Sequence, residues 1–434
     1  MRHLYRSISI VLFLLLLPVS YSRAQSESDT AIKSWLQHHI AVLADTSMHG
    51  RGYVKDGRQQ AARYIKKEFK KYHLKPIAGK RSYLQSYSFP VNTFPGQMDI
   101  RLNGQMLTAG VDYIVDAGSS AFHGNDLSFE KLDLATIKDK EQWRRTLATF
   151  RSVNKVYYLE HVDSICSFLG LKKHFFTMVL PKGCYIIPQK EKFIWTVSQE
   201  TTHATVVYVK DSLFKGSISN ISVHIDAVLL KNATSDNIVG VLRGEVKDTF
   251  LAITAHYDHL GMMGNNAIFP GASDNASGTA MLLYMAKYFS THKQHYSILF
   301  ISFSGEEAGL MGSDYFTKHP LVPLSNIRFL TNIDIMGDAT DGITVVNATE
   351  YPKQFEQLQK INKDNNLLAQ IKSRGKAANS DHYHFSEAGV PSFFIYTNGG
   401  KGYYHDIYDK AGEITLNHVD NIVTLIIDFL KELK

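Results

Sequence analysis

Apolar and polar positions along this chain fall into three textures. Near the N-terminus, Ile32, Trp35, Leu36, Ile40 and Leu43 recur at helical spacing and predict a helix over 31–45. A polar turn with Gly50 and Gly52 follows, then a Lys/Arg-rich amphipathic helix from Asp56 to Tyr72 and a strand over 81–92. Between about 96 and 230 the pattern shortens. The β-type runs Asp112–Val115, Lys155–Leu159, Tyr185–Ile187 and Ala204–Val209 are separated by Gly and Asp turns and interrupted by one helical stretch, Lys138–Arg151. From about Asn237 strands and helices alternate: strands Phe250–Ala255, Tyr296–Phe303, Ile327–Ile333 and Pro391–Tyr396, with helices at Thr279–Ser290, Ala308–Lys318, Pro352–Asn365 and Leu416–Leu433.

Alternation of this kind predicts an α/β fold, a mixed but mostly parallel central sheet with helices on both faces. The expected organisation is a main domain from residues 25–95 and 231–434, interrupted by an inserted mostly-β domain over 96–230. Ligands of such sheets gather at the carboxyl ends of strands. Several chemistry-bearing residues stand there.

His256 closes one apolar run in H-Y-D-H-L-G, with Asp258 two residues on, where it could sit beside the imidazole and orient it. Asp274 lies in G-A-S-D-N-A-S-G, a loop of small residues that lets backbone approach an ion. Glu306 and Glu307 follow a buried strand in S-G-E-E-A-G; adjacent carboxylates there suit one metal ligand and one general base. An acidic first turn of a helix is the bland alternative. Asp334 ends the run N-I-D-I-M-G, where a buried carboxylate needs a cation. Two motifs offer a closing histidine. His405, after Gly399, Gly400 and Gly402, is preferred, with Asp409 as the expected partner of its second nitrogen; His382 in S-D-H-Y-H-F is the alternative. His161, His174 and His203 are scattered and join no constellation.

Composition and charge narrow the classes. A formal charge of +6 over 434 residues, with no basic stripe interleaved with aromatics, argues against nucleic acid. Three of the positive charges, Arg2, Arg6 and Arg23, lie in residues 1–24, where a basic start, the apolar run Ile8–Leu17 and Ser22-Arg23-Ala24 make a secretory signal pattern. The expectation is an exported protein, periplasmic or secreted, with no stable membrane insertion once the signal is removed. The two cysteines, Cys166 and Cys184, could pair in an oxidising compartment but match no metal-ligand spacing.

Taken together, these motifs resemble the co-catalytic di-zinc exopeptidases of clan MH, the aminopeptidase-Y and glutamate carboxypeptidase type. The likeness is densest over 237–409, with M-H-G-R-G and its following helix resembling the family's lead-in. Residues 96–230 stand where many members carry a protease-associated or apical domain. The resemblance implies a phosphorylase/hydrolase-like zinc peptidase fold and two zinc ions, one held by His256, Asp274 and Asp334, the other by Asp274, Glu307 and His405. It further implies Glu306 as general base, Asp258 behind His256, Tyr404 on the oxyanion and a cis peptide at Asp274-Asn275. Lys410 departs from the small hydroxyl residue of many relatives. The implied activity is removal of N-terminal residues from peptides. A glutaminyl-cyclase-like acyltransferase with one zinc is the alternative, and a metal-free receptor-like relative a third. The end of the peptide trimmed, side-chain preference and oligomeric state are not fixed by these motifs.

Overall fold

The computed structural model describes residues 29–77, 79–150, 154–214 and 216–433. The signal pattern of residues 1–24 lies outside them. Among the described residues no helix is long and apolar enough to cross a membrane.

Two eight-stranded sheets organise the chain. The first runs, edge to edge, Leu84–Thr93, Val228–Leu242, Tyr296–Phe303, Val246–His256, Ile327–Ile333, Ser392–Thr397, Ile343–Val346 and Ile371–Ser373. Its four central strands, Tyr296–Phe303 through Ser392–Thr397, are mutually parallel, and antiparallel partners flank them on both sides. The central strands read as continuous apolar runs because both faces are covered: Ile298, Phe300, Ile253 and Phe393 face one buried cluster while Leu299, Ile301, Ala252 and Leu330 face another. Helices Asp29–Leu43, Gly278–Thr291 and Val419–Glu432 pack on the first of these faces. The mixed, mostly parallel α/β sheet predicted from the sequence is therefore present.

The second sheet is built from strands between Met98 and Ile225, and its middle strands Phe122–Asp133, Lys155–Glu160, Gly183–Gln189 and Ala204–Lys210 are parallel. Three helices, Lys140–Thr149, Val162–Leu169 and Lys173–Met178, accompany it. The sequence pattern predicts only the first. The chain rejoins the first sheet at Val228, a few residues before position 231. Side-chain alternation gives the second sheet two apolar faces: Cys184 and Ile186 point to one cluster, Tyr185 and Ile187 to the other. Cys166 belongs to the latter, so the two thiols lie on opposite faces and are free.

Candidate metal centre

Each motif residue is placed by a strand end. His256 is the last residue of Val246–His256, Asp334 immediately follows Ile327–Ile333, and Glu306 and Glu307 lie in the loop after Tyr296–Phe303. Gly305 turns that loop with φ +70, and a Cβ there would press Phe89 and Met311 at about 3 Å. The following helix begins only at Met311, so the glutamates are not its first turn, and capping does not account for them. Asp274 sits after Gly271, whose φ is +59 and where a Cβ would fall 2.2 Å from the Asp274 carbonyl and 2.4 Å from the His259 ring. The Asp274-Asn275 peptide is cis.

The side chains converge. His256 Nε2 lies 3.3 Å from Asp274 Oδ1 and 3.2 Å from Asp334 Oδ2. His405 Nε2 lies 3.2 Å from Asp274 Oδ2 and 3.1 Å from Glu307 Oε2. Asp274 thus stands between two donor groups, one oxygen toward each. Donor atoms of His256, Glu306 and Asp334, and of His256, Asp274 and Glu307, cluster closely enough to hold an ion.

Charge is heavily unbalanced here. Asp258, Asp274, Asp334, Asp381 and Asp409 are all buried. Burial alone would lower the His256 pKa, yet Asp334 and Glu306 drive it well above its ordinary value. Burial likewise opposes protonation of His405, but Glu307 and Asp274 push it up to about 11. Glu306 is raised well above the carboxylate range by burial, against the pull of His256 and with Glu307 and Asp381 reinforcing it. Asp381 is pushed up to about 7 by burial, with Asp258 and Asp334 reinforcing it against the pull of His256. One Asp334 oxygen, Oδ1, is buried without any hydrogen-bond partner. A nest of carboxylates and imidazoles that leaves such an atom unpaired fits a divalent cation by donor chemistry.

Some expected roles change. Asp258 meets His256 Nδ1 through its main-chain carbonyl at 3.2 Å, with its carboxylate at 3.8 Å. That carboxylate accepts instead from the Glu306 amide at 3.3 Å and from the Tyr53 hydroxyl at 3.3 Å. Asp409 does not hold His405. Its oxygens accept from the Ser273 and Asp274 amides at 2.8–3.1 Å, fixing the Asp274 loop, while His405 Nδ1 donates to the Trp195 carbonyl at 2.8 Å. The alternative ligand His382 packs against Phe394 on a short helix and belongs to neither donor group. Tyr404 stacks on the His405 ring at 3.8 Å and is nearly half exposed, so it faces the open side of the cluster.

Two supporting residues escaped the sequence. His259, fully buried, donates from Nδ1 to Glu307 Oε1 over 2.6 Å. Its place in H-Y-D-H, one residue beyond Asp258, was the available signal. Arg51, of the M-H-G-R-G run, is buried beneath the cluster and spends its guanidinium on the carbonyls of Leu43, Tyr257, Pro270 and Gly271 at 2.7–2.8 Å. It therefore ties together the two loops that carry Asp258 and Asp274.

Residues 237–430 match the model of Peptidase family M28. Aminopeptidase YwaD of Bacillus subtilis is 29% identical over 214 residues, covering 44% of this chain and 44% of its own length. Aminopeptidase Y of Saccharomyces cerevisiae is 26% identical over 254 residues, covering 52% of this chain and 45% of its own. The matched stretch thus spans less than half of these curated relatives. Among solved structures, BSAP, a zinc aminopeptidase from Bacillus subtilis, superposes with a TM-score of 0.65 at 18% identity over 92% of this chain and 94% of that one. A peptidase M28 precursor from Shewanella amazonensis does so at 0.64 and 16% identity over 94% and 97%. At such identities the superpositions speak for the fold, and they extend across both sheets. Sequence match, fold and donor geometry agree: residues 237–430 of this chain are a peptidase family M28 domain.

Proposed function

We propose that the chain is a zinc aminopeptidase that binds two zinc ions and removes N-terminal residues from peptides. The observation that carries this is Asp274, one oxygen toward His256 and Asp334, the other toward His405 and Glu307. A bridging carboxylate between two donor groups suits a pair of ions rather than one. The names of the relatives, two aminopeptidases and several probable zinc metalloproteases, support zinc as the metal and peptides as the substrate.

In this arrangement His256, Asp274 and Asp334 would hold one ion, and Asp274, Glu307 and His405 the other. Bound zinc supplies Lewis acidity, which polarises a peptide carbonyl and makes water acidic enough to attack near neutral pH. Glu306 is left as the base: it takes a proton from the attacking water at its carboxylate and returns it to the leaving amine. Asp258 holds the Glu306 amide and so fixes where that carboxylate starts. Tyr404, on the open side and stacked on the His405 ring, would donate its hydroxyl to the developing oxyanion. Beside Asp274 opens a cavity of about 270 Å³ walled by Ile335, Tyr396, Tyr403, Tyr404 and Ile414. It is smaller than the roughly 300–1,000 Å³ of drug-sized pockets, room for one apolar side chain. Export to the periplasm or beyond belongs to the same proposal and rests on the N-terminal pattern alone.

A panel of aminoacyl and peptide substrates, assayed with chelator and after zinc is restored, tests it. The expected result is release of N-terminal residues, abolished by chelator and recovered with zinc. Cyclisation of N-terminal glutamine by protein holding a single zinc would overturn it in favour of the acyltransferase alternative.

A further inference from the structure

His405 is the least self-supported residue of the cluster. It follows a glycine-rich loop outside any strand or helix, and its own φ is +56, a left-handed conformation that non-glycine residues seldom hold unaided. Its support comes from the segment 192–199, which leaves the Gly183–Gln189 strand of the second sheet and crosses to the first. The Trp195 amide donates to the His405 carbonyl at 3.2 Å, and the Trp195 carbonyl accepts from His405 Nδ1 at 2.8 Å. A carbonyl can only accept, so Nδ1 carries the proton and Nε2 keeps its lone pair. Nε2 is the atom that faces Asp274 and Glu307.

The neighbours of Trp195 extend the grip. Lys192 Nζ donates to the carbonyls of Gly402 at 2.5 Å and Tyr404 at 2.8 Å, and lies 4.0 Å from Asp406. Gln199 donates to the Ala308 carbonyl at 2.7 Å, directly after Glu307. Trp195 is itself anchored: its indole N–H donates to the Val115 carbonyl of the second sheet at 2.8 Å, and its ring stacks on Phe269 at 4.6 Å. The His256 side is supported from the first sheet instead, by Thr279 on the His256 carbonyl at 2.9 Å and Ser380 on Asp334 at 3.1 Å.

We propose that segment 192–199 is a positioning device for the His405 side of the metal pair, through which the second sheet sets the affinity of one metal position and not the other. This rests on the two-zinc function proposed above. Groups that orient a ligating imidazole typically change metal affinity about 10–100-fold when removed.

The test uses the full chain with Lys192→Met, which keeps the stem and drops the ammonium, and Trp195→Phe, which keeps a ring against Phe269 and drops the bond to Val115. Zinc stoichiometry is measured against buffered free zinc, alongside cobalt substitution spectra, melting temperature, kcat and KM. Expected is that both variants bind one zinc like the wild type and release the second at free zinc about 10–100-fold higher, with kcat restored by added zinc and KM unchanged. Variants that hold both ions with wild-type affinity overturn the proposal. So do variants that lose both ions in parallel with a falling melting temperature, which marks a merely structural role. A wild type that binds fewer than two zincs overturns the two-metal function itself, and the positioning role with it.

Discussion

The parallel strands of the first sheet end on His256, on Asp334 and on the loop bearing Glu306 and Glu307; those of the second sheet end on Asp133, Glu160, Gln189 and Lys210. Both sets are polar, and both stand where α/β sheets gather ligands. They differ in what surrounds them. Asp133 is 44% exposed and pairs with the His161 ring at 2.7 Å, and Glu160 pairs with the Lys131 ammonium at 2.8 Å, so each acid has a hydrogen-bonding partner and water. In the first sheet the acids are buried against one another. Polarity at a strand end is therefore common to both sheets, and enforced burial of like charge is what separates a metal centre from a solvated rim.

The sharpest way to break this contrast is to neutralise one acid in each sheet. Glu306→Gln is expected to lower kcat about 10²–10⁴-fold with zinc content retained, whereas Glu160→Gln leaves both as they were. Equal losses would put the chemistry elsewhere. Core truncation should show the converse. Ile186→Ala, buried in the second sheet, is expected to cost about 2–5 kcal/mol of stability while kcat per folded molecule holds, read by denaturant melts beside activity. Metal removal comes next. Zinc at a hundredfold excess over its Kd contributes about 2.7 kcal/mol, so chelation should lower the melting temperature by several degrees. That drop should vanish in Asp274→Ala, which has no bridging carboxylate; a chelator effect that persists there would place the stabilising ion elsewhere.

The smallest effect concerns His39, buried beside Trp35 and hydrogen-bonded to the Tyr64 hydroxyl. Burial, with His38, Lys71 and Lys287 adding to it, lowers its pKa from 6.5 to about 3. The neutral ring is the folded form, so its contribution is complete above pH 6.5 and fades as pH falls toward 3. His39→Phe should flatten the stability profile over that window. An unchanged slope in His39→Phe would assign the acid sensitivity to other groups.

The centre of the first sheet was legible because strands covered on both faces must be apolar throughout, and any acid or histidine closing such a run stands out. His256, Glu306, Glu307 and Asp334 were visible on that ground, whereas Asp274 in its small-residue loop and His405 after its glycine-rich turn were read from their motifs; the structure brings all six together. Less visible were elements whose pattern is mixed: Val228–Leu242 is half exposed along its length, and Val162–Leu169 and Lys173–Met178 are too short for a helical period to show. Partners were harder still. Asp409, four residues from His405, was the natural local candidate, yet a carbonyl 210 residues away took the place. Main-chain acceptors leave no mark in a sequence, and neither does the choice of face that keeps Cys166 and Cys184 apart.

Arg51 has a consequence for the order in which the molecule can assemble. Two of its acceptors, Pro270 and Gly271, lie 219 and 220 residues further along the chain. As the polypeptide emerges from N- to C-terminus, the lead-in helices must wait for that distant loop, with only the Leu43 carbonyl near in sequence to accept from the guanidinium. The strands of the second sheet all lie within residues 98–225, and the residues that cover one of its faces, Leu260, Met263, Ala267 and Phe269, follow well before His405. Contacts of long sequence separation form late and slowly, so the scaffold that steadies His405 can be in place before the loop it steadies has been synthesised.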